Sequence, residues 1–355
     1  MKKNGTTRLQ TITQRGRPTR GQFLAGVGGL LLLGGCGGGA GSGDSSGGEG
    51  SGGTRTIKHK YGKTEVSGAP ERVVTVGFTD GDYVLALGVT PVAVREWFGE
   101  KPYATWPWAQ DELGSAEPEV LPSSELNFEG IAGLEPDLIV GVSSGMTGQE
   151  YDTLSEIAPT LPQSGEFVDF GVPWQEQTRA IGRALGRQDR AEGLVSDLES
   201  RFAAAREEHP EFEGASGVVV GLTVEGDSYT PSPYGPQDVR GRFMSSLGFR
   251  IPEEISDLTG DAFFADLSRE RLELIDADAL VWVTVAAESF EAVRTDPLYG
   301  RLDVARQGRD LFLEETLSGA LSFGSVLSLP FALDELVPRL AAAVDGDPAT
   351  GAGPS

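Results

Sequence analysis

Short β-branched runs that alternate with helical stretches are the feature of this 355-residue sequence that most constrains its fold. Residues 72–76, 91–94 and 136–141 are apolar enough to form buried strands, and a segment with helical spacing follows each of them. Neighbouring parallel strands need a crossover of this kind between them. The order therefore predicts an α/β fold in which helices cover a parallel sheet.

A long run of helix-forming residues separates two such halves. Residues 174–185 predict one helix that ends at Gly186, and residues 188–208 predict a second helix that stops at His209-Pro210. At 1.5 Å per residue the second helix would span about 31 Å, which makes it a stiff strut. The second half repeats the alternation, with strands expected at 218–224, 280–285 and 311–313, a strand-like pair Phe263-Phe264, and helices at 238–247, 269–275 and 325–344.

The single cysteine, Cys36, follows a basic segment and an apolar run from Phe23 to Leu33. A helix of that length is too short to cross a hydrocarbon core of about 30 Å, so the run predicts a secretory signal peptide. Leu33-Gly34-Gly35-Cys36 has the order of a lipobox. We therefore expect Cys36 to be the lipid-bearing first residue of the mature chain.

The export route stays open between the Sec and twin-arginine pathways. Residues 19–24 resemble a twin-arginine motif, but Gly21 stands where the second arginine belongs. Beyond the cysteine, Gly37 to Gly53 has the composition of a flexible spacer that would hold a folded part away from a membrane. These segments predict an extracytoplasmic protein, lipid-anchored to the outer face of the cytoplasmic membrane.

Charge limits the partners of the chain. It has 29 Lys and Arg against 53 Asp and Glu residues, and a net charge of −24. Such an acidic surface repels nucleic acid, so no nucleic-acid partner is expected. A dedicated transition-metal site takes several histidine or carboxylate ligands, and the sequence contains only His59 and His209. We expect no metal ligands from the protein.

Several segments carry a family resemblance. They are Ala69-Pro70-Glu71-Arg72-Val73-Val74, the run 86–94 (Ala-Leu-Gly-Val-Thr-Pro-Val-Ala-Val), the run 127–139 from Asn127-Phe128-Glu129-Gly130 to Leu138-Ile139, the run 151–160, and Ser268-Arg269-Glu270-Arg271-Leu272 with the following 276–281. Their order and spacing resemble the periplasmic binding proteins for ferric siderophores and cobalamin, over roughly residues 56–345.

The resemblance implies two Rossmann-like lobes joined by a long rigid α-helix, the class III arrangement, with a ligand cleft between the lobes. It also implies delivery of the ligand to an ABC importer by a monomeric receptor. The expected division is a signal peptide at 1–35, a lipidated Gly/Ser-rich tether at 36–55, an N-terminal lobe at 56–187, the interlobe helix at 188–210, a C-terminal lobe at 211–346 and a disordered tail at 347–355.

The resemblance implies a docking role for two glutamates. In the family, a glutamate on each lobe docks onto arginines of the permease, and Glu129 and Glu270 stand at the matching motif positions. Both also lie in the first turn of an expected helix. There the helix dipole favours a carboxylate by about 0.3–1 kcal/mol, so plain helix-end electrostatics is the alternative explanation.

The ligand site is expected beyond the carboxyl ends of the strands, as in other open α/β sheets. The loop 95–108 carries three of the five tryptophans together with basic residues, which suits a bulky, partly anionic ligand. The loop 227–234 is its counterpart in the second half. We expect Trp174 and Trp282 to be core residues. The residues expected to line the cleft are Arg95, Trp97, Tyr103, Trp106, Tyr229, Arg240, Arg242 and Phe264.

These expectations combine into a lipoprotein that captures a ferric siderophore, with Fe(III) held by the chelate and no protein cofactor. Cobalamin or haem as cargo, and a surface adaptor with no transport role, are the alternatives within the fold. A more distant alternative is a serine esterase, because residues 141–145 match G-x-S-x-G around Ser143. Its triad needs a histidine later in the chain, and only His209 qualifies.

Overall fold

The computed structural model describes residues 53–226, 228–284, 286 and 289–345. The expected signal peptide, the lipobox with Cys36, most of the tether and the tail lie outside these residues. Within the described part of the chain, no helix combines the length and the apolar composition needed to cross a membrane.

An antiparallel hairpin opens the described chain, and a parallel sheet follows it. The hairpin strands are β1 (Thr54–His59) and β2 (Gly62–Ser67). The five sheet strands run in the order β5-β4-β3-β6-β7, and every neighbouring pair is parallel. They are β3 (Val73–Thr75), β4 (Ala93–Arg95), β5 (Glu119–Leu121), β6 (Leu138–Gly141) and β7 (Thr160–Pro162).

The strand order of this sheet reverses between β3 and β6, because the chain runs from β3 to one side and from β6 to the other. Such a switch point opens a crevice beyond the carboxyl ends of the two strands. The helices of this lobe are α1 (Asp80–Ala86), α2 (Gln110–Leu113), α3 (Phe128–Gly133), α4 (Gly148–Ile157) and α5 (Trp174–Leu185).

The interlobe helix α6 (Gln188–Glu208) has the predicted bounds. Gly186, with a φ of 69°, ends α5 in the left-handed conformation that glycine adopts without steric cost. Helix α6 then buries one face, formed by Ala191, Val195, Leu198 and Phe202, while its other residues face solvent or are half-buried. This amphipathic pattern is what holds the long helix against both halves of the molecule.

The second lobe has a four-stranded sheet in the order β11-β10-β8-β9, with β9 antiparallel and the other pairs parallel. Its strands are β8 (Gly217–Glu225), β9 (Ser228–Pro233), β10 (Ala279–Val283) and β11 (Asp310–Phe312). Its helices are α7 (Val239–Ser246), α8 (Glu253–Thr259), α9 (Phe290–Arg294), α10 (Asp303–Arg306), α11 (Glu315–Phe323) and α12 (Ser328–Val344).

Two of the expected segments form a different element, and the helices α8 to α11 were not expected. Residues 228–233 of the segment expected to be a loop at 227–234 form β9, an edge strand, where Pro231 and Pro233 are tolerated because an edge strand needs fewer backbone donors. The helix expected at 269–275 is a 3-10 helix interrupted at Arg271. The architecture is the expected one of two α/β lobes joined by a long helix.

Candidate ligand cleft

A cavity of about 680 Å³ lies between the two lobes, at the switch point of the first sheet. Phe78 and Thr79 line it three and four residues after the end of β3, and Ser143 lines it two residues after the end of β6. The second lobe contributes Arg240 and Arg242 from α7, among other residues. This volume is within the roughly 300–1,000 Å³ that is usual for small-molecule sites.

Aromatic rings form one wall of the cavity. The ring centroid of Phe78 lies 5.9 Å from that of Trp97 and 6.2 Å from that of Phe170, with near-parallel planes in both pairs. Trp97 in turn lies 5.3 Å from Phe323 of α11. Phe170 is half exposed and has a φ of 65°, an unusual conformation that holds its ring against the wall. The wall offers flat apolar faces to a bulky ligand.

Ser143 forms a polar floor below this wall. Its Oγ donates to Asp80 Oδ1 at 2.7 Å and accepts hydrogen bonds from the backbone N–H and the hydroxyl of Thr79, each at 3.0 Å. Asp80 is fully buried, and this burial raises the pKa of its carboxyl group to about 6. A carboxylate therefore lies directly behind the serine at neutral pH.

Neither histidine is placed to activate Ser143. His59 shares a hydrogen bond of 3.0 Å with Thr64 in the β1–β2 hairpin. His209 lies at the end of α6 and contacts Glu211 at 3.0 Å. Among the described residues the serine thus has a carboxylate neighbour but no imidazole base, which a Ser-His-Asp triad requires.

The second lobe contributes two arginines to the cavity, and the charge of one of them is neutralised by a neighbouring aspartate. Arg240 Nη1 contacts both carboxylate oxygens of Asp238 at 3.0 Å, and its guanidinium lies 4.0 Å from the ring centroid of Tyr234. Asp238 also caps α7, since its carboxylate accepts the Arg240 backbone N–H. Arg242 has a different partner. Its Nη1 donates to the Gly171 carbonyl of the first lobe at 3.0 Å and so bridges the cleft.

A group of buried hydrogen bonds also links the two lobes. Asp82 in α1 accepts a hydrogen bond from Trp108 Nε1 at 2.8 Å and another from the hydroxyl of Ser325, which precedes α12. Asp82 is almost completely buried, and its burial raises the pKa of the carboxyl group to about 6. The Tyr83 hydroxyl donates to the Gly324 carbonyl beside this contact, at 3.4 Å.

Four of the residues expected at the cleft lie in the cavity lining: Trp97, Arg240, Arg242 and Phe264. Phe264 is half exposed on the second lobe, next to Phe263. The two arginines lie in the first turn of α7, where the helix begins at the cavity. The cavity lining therefore contains basic and aromatic residues, as the sequence suggested, but only four of the eight expected residues are among them.

For Arg95 and Tyr103 the expected placement is wrong. Arg95 lies behind Phe78, with its guanidinium 4.3 Å from the ring centroid, and donates to the carbonyls of Val76, Ser123 and Ser124. It organises the loops under the wall rather than facing the cavity. Tyr103 packs against the small apolar cluster of Leu85, Ala109 and Leu113 and is not part of the cavity lining.

For Trp106 and Tyr229 the expected placement is also wrong, because both are buried. Trp106 is 1% exposed and fills the space between Gly99 and Gly319 of α11, where even a Cβ atom would come within 3.0 Å of its ring. Tyr229 points into the core of the second lobe, where its hydroxyl donates to Asp296 at 2.7 Å. The strand β9 turns this side chain inward.

Sequence reasoning missed several lining residues. Phe78, Thr79 and Ser143 could have been found, because they directly follow predicted strands whose carboxyl ends face the cleft. Trp174 was expected in the core, but it is half-buried and lines the cavity at the start of α5. Phe323 carried no signal, since its helix α11 was not predicted. Trp282 is fully buried, as expected.

Comparison with known proteins identifies the scaffold. The family model described as periplasmic binding protein matches residues 73–315. The chain belongs to the periplasmic binding protein family. A curated relative is the probable siderophore-binding lipoprotein YfiY of Bacillus subtilis (strain 168), which is 29% identical over 245 residues, 66% of this chain and 70% of the relative.

Solved structures place this periplasmic binding protein in the same fold. A periplasmic solute binding protein from Mycobacterium smegmatis is 35% identical with a TM-score of 0.74, covering 82% of this chain and 99% of its own. The PiaA protein of Streptococcus pneumoniae, solved in complex with ferrichrome, is 25% identical with a TM-score of 0.70, over 82% and 99% of the two chains.

The two glutamates with an expected docking role lie on the surface of this periplasmic binding protein, one on each lobe. Glu129 is in the first turn of α3, which Asn127 caps by accepting the Gly130 backbone N–H. Glu270 is in the first turn of the 3-10 helix at 269–275. Both are exposed, and neither side chain has a hydrogen bond or ion pair with another described residue. Their carboxylates are available to a partner.

Proposed function

We propose that this binding protein captures a ferric siderophore outside the cytoplasm and delivers it to an ABC importer for iron uptake. The observation that carries the proposal is the cavity between the lobes, where an aromatic wall faces guanidinium and hydroxyl groups. A ferric siderophore combines apolar linkers, which pack on aromatic rings, with chelating oxygens that accept hydrogen bonds. The curated relative named above as a siderophore-binding lipoprotein supports the same function.

Iron remains in the chelate in this proposal. Asp238, the carboxylate of the cavity lining, is held by Arg240 and is not free to coordinate a metal. The protein would recognise the outer surface of the complex, and Fe(III) would enter as cargo. We further propose binding without catalysis, since Ser143 is engaged with Asp80 and Thr79 and lacks a described imidazole partner.

Tryptophan fluorescence tests the capture step, because Trp97 and Trp174 line the cavity. Ferric hydroxamate, catecholate and carboxylate siderophores are titrated separately, with the iron-free siderophores, haem and cyanocobalamin as comparators. At least one ferric siderophore should quench with a dissociation constant in the micromolar range or below. Quenching by haem or cyanocobalamin alone would overturn the siderophore assignment.

For the delivery step, we propose that Glu129 and Glu270 dock onto the permease. The variants Glu129→Gln and Glu270→Gln keep the side-chain shape and remove the charge. Exposed glutamates without described partners on the same lobes provide matched controls, Glu156→Gln and Glu254→Gln. The docking variants should lower radiolabelled iron uptake at least tenfold while leaving siderophore affinity unchanged. Uptake equal to that of the controls would contradict this role.

A further inference from the structure

The 3-10 helix at 269–275, which carries Glu270, is attached to the second lobe through an ion pair with a buried carboxylate. We propose that Asp296 is a positioning residue for docking: through Arg269 it fixes the first turn of this helix and neutralises the cation beside Glu270. This inference rests on the proposed docking of Glu270 onto the permease and deepens it. Asp296 itself would not touch the permease, because its side chain is only 1% exposed.

The two carboxylate oxygens of Asp296 have different partners. Oδ1 accepts the Leu298 backbone N–H at 2.9 Å and so stabilises the turn after α9. Oδ2 accepts hydrogen bonds from the Tyr229 hydroxyl at 2.7 Å and from Arg269 Nε at 2.9 Å, and Arg269 Nη2 lies 2.7 Å from it. Charge-assisted hydrogen bonds of this kind are roughly twice as strong as neutral ones. Asp296 therefore connects its own turn to the helix that begins at Arg269.

The partners of Arg269 belong to the rigid interior of the second lobe. Its guanidinium lies 5.2 Å from the ring centroid of Tyr229, which is 5% exposed and part of the core of this lobe. An ion pair between two exposed side chains holds little, because both must first be ordered. Here the carboxylate of Asp296 is buried and already hydrogen-bonded. Arg269 thus binds to a fixed partner, and the backbone next to it is fixed as well.

Few other side-chain contacts hold the first turn of the 3-10 helix. Ser268 at its N-cap makes no side-chain capping hydrogen bond, and the helix is interrupted at Arg271. The hydrogen bonds of a 3-10 helix also have poorer geometry than those of an α-helix. In the first lobe, Asn127 caps the turn that carries Glu129. The ion pair with the buried carboxylate has the corresponding place in the second lobe.

The ion pair also adjusts the charge around Glu270, which lies between the two exposed arginines Arg269 and Arg271. With Asp296 included, these four side chains carry no net charge. Without its carboxylate they would carry a net positive charge, and Arg269 would be free to pair with Glu270. Both changes would oppose a contact between Glu270 and an arginine of a partner. Asp296 therefore keeps the carboxylate of Glu270 available.

Asp278 provides a control in the same lobe. Like Asp296, its carboxylate accepts hydrogen bonds from a backbone N–H and a hydroxyl, both of Ser216, and from an arginine, Arg309, at 3.2 Å. None of these partners belongs to the 3-10 helix at 269–275. Asp278→Asn therefore removes a carboxylate with the same kinds of partner, away from Glu270.

Two buried tyrosines provide a second, milder comparison. Tyr229 and Tyr299 are 5% and 3% exposed, and their hydroxyls donate to Asp296 and Asp310, respectively. Tyr229→Phe removes one hydrogen bond to Asp296 and keeps the ring, whereas Tyr299→Phe removes a buried hydroxyl elsewhere in the lobe. Thermal melting verifies that each variant is folded. If Asp296→Asn does not fold, the tyrosine pair carries the test.

The test is iron uptake by the native host, in which each variant replaces the wild-type gene and iron-starved cells are given radiolabelled ferric iron in their own medium. Asp296→Asn should lower the initial uptake rate about fivefold and Tyr229→Phe about twofold, whereas Asp278→Asn and Tyr299→Phe change it by less than about 1.5-fold. Fluorescence titration with the ferric siderophores should give affinities within about twofold of wild type for every variant. None of the substituted residues lines the cavity.

A double variant separates positioning from a general structural role. In the Glu270→Gln background, Asp296→Asn should lower the remaining uptake by less than about 1.5-fold, because its effect passes through Glu270. A further fivefold loss there, or equal uptake of Asp296→Asn and Asp278→Asn, would overturn the inference and leave the docking of Glu270 standing. Wild-type uptake by Glu270→Gln would overturn the docking role and this inference together. Undiminished uptake after deletion of the gene would overturn the proposed function itself.

Discussion

Two tryptophans of the loop 95–108 lie in different environments. Trp97 faces the cavity, whereas Trp106 is 1% exposed and wedged against α11 of the other lobe. Both looked alike in the sequence, because each follows a strand in an aromatic segment. Their placement depends on Gly319, which is more than 200 residues away in the chain and leaves room for the Trp106 ring.

Alanine substitution should separate these two roles. Trp97→Ala should weaken siderophore binding at least tenfold with little change in stability, because it removes part of the ligand wall. Trp106→Ala should lower the free energy of unfolding by about 3–5 kcal/mol, the usual cost of emptying a large buried site. Urea denaturation and ligand titration of both variants make the comparison. Equal stability loss in the two variants would contradict the assignment.

The buried carboxyl group of Asp82 predicts a pH dependence of stability. Burial raises the pKa of Asp82 to about 6, so between its usual pKa and this value the folded state binds a proton that the unfolded state has released. The contribution of Asp82 to the free energy of unfolding is therefore greatest at low pH. It falls as the pH rises through about 6.

The Asp82→Asn variant should flatten this part of the stability profile. The unfolding free energy is measured from pH 4 to pH 8 in the wild type, in Asp82→Asn and in the exposed control Asp111→Asn. The wild type and the control should lose stability more steeply between roughly pH 4 and pH 6 than Asp82→Asn does, by about 3 kcal/mol at most. Parallel profiles for all three proteins would refute the prediction.

At the scale of elements, the ends of helices α5 and α6 were predicted correctly. Gly186 and His209-Pro210 punctuate the sequence there, and local signals are enough. Strand β9 was missed because Pro231 and Pro233 argue locally against a strand, while its pairing with β8 and its edge position decide the outcome. Tyr229 was misplaced for the same reason.

Two glycines in the helix pair α5–α6 should respond to alanine in opposite ways. At Gly193, which is exposed on α6, an added Cβ meets no atom within 4 Å, so Gly193→Ala should stabilise the protein by about 0.5–1 kcal/mol through helix propensity. At Gly182 of α5 the Cβ would lie 2.5 Å from the Ala191 side chain. Gly182→Ala should destabilise by about 1–3 kcal/mol in denaturant titrations. The same sign for both would contradict the packing described.

At the scale of the whole molecule, the two-lobe architecture and the position of the cleft follow from the order of strands and helices. The contacts that complete the cleft do not. Asp82 and Ser325 meet across 243 positions of sequence, and Phe323 joins the aromatic wall from the unpredicted helix α11. No local sequence pattern predicts contacts between residues so far apart in the chain. The sequence therefore predicted where the cleft lies but only part of the residues that line it.

The expected lipid anchor on Cys36 is also tested on the whole molecule. When the full chain is produced in a host with lipoprotein processing, it should incorporate radiolabelled palmitate and fractionate with membranes. Cys36→Ala should abolish the label and release the protein, because the thioether-linked lipid is then missing. Siderophore affinity should stay the same in the released protein. Membrane retention of Cys36→Ala would contradict the anchor.

Capture of a ferric chelate in the cavity between the lobes is tested most directly by locating iron in crystals of the protein grown with a ferric siderophore. Anomalous diffraction at the iron absorption edge places the metal without reference to the ligand density. We expect one strong peak inside the cavity, between the aromatic wall around Trp97 and the guanidinium of Arg242. A peak elsewhere on the protein, or iron bound directly by protein carboxylates, would contradict it.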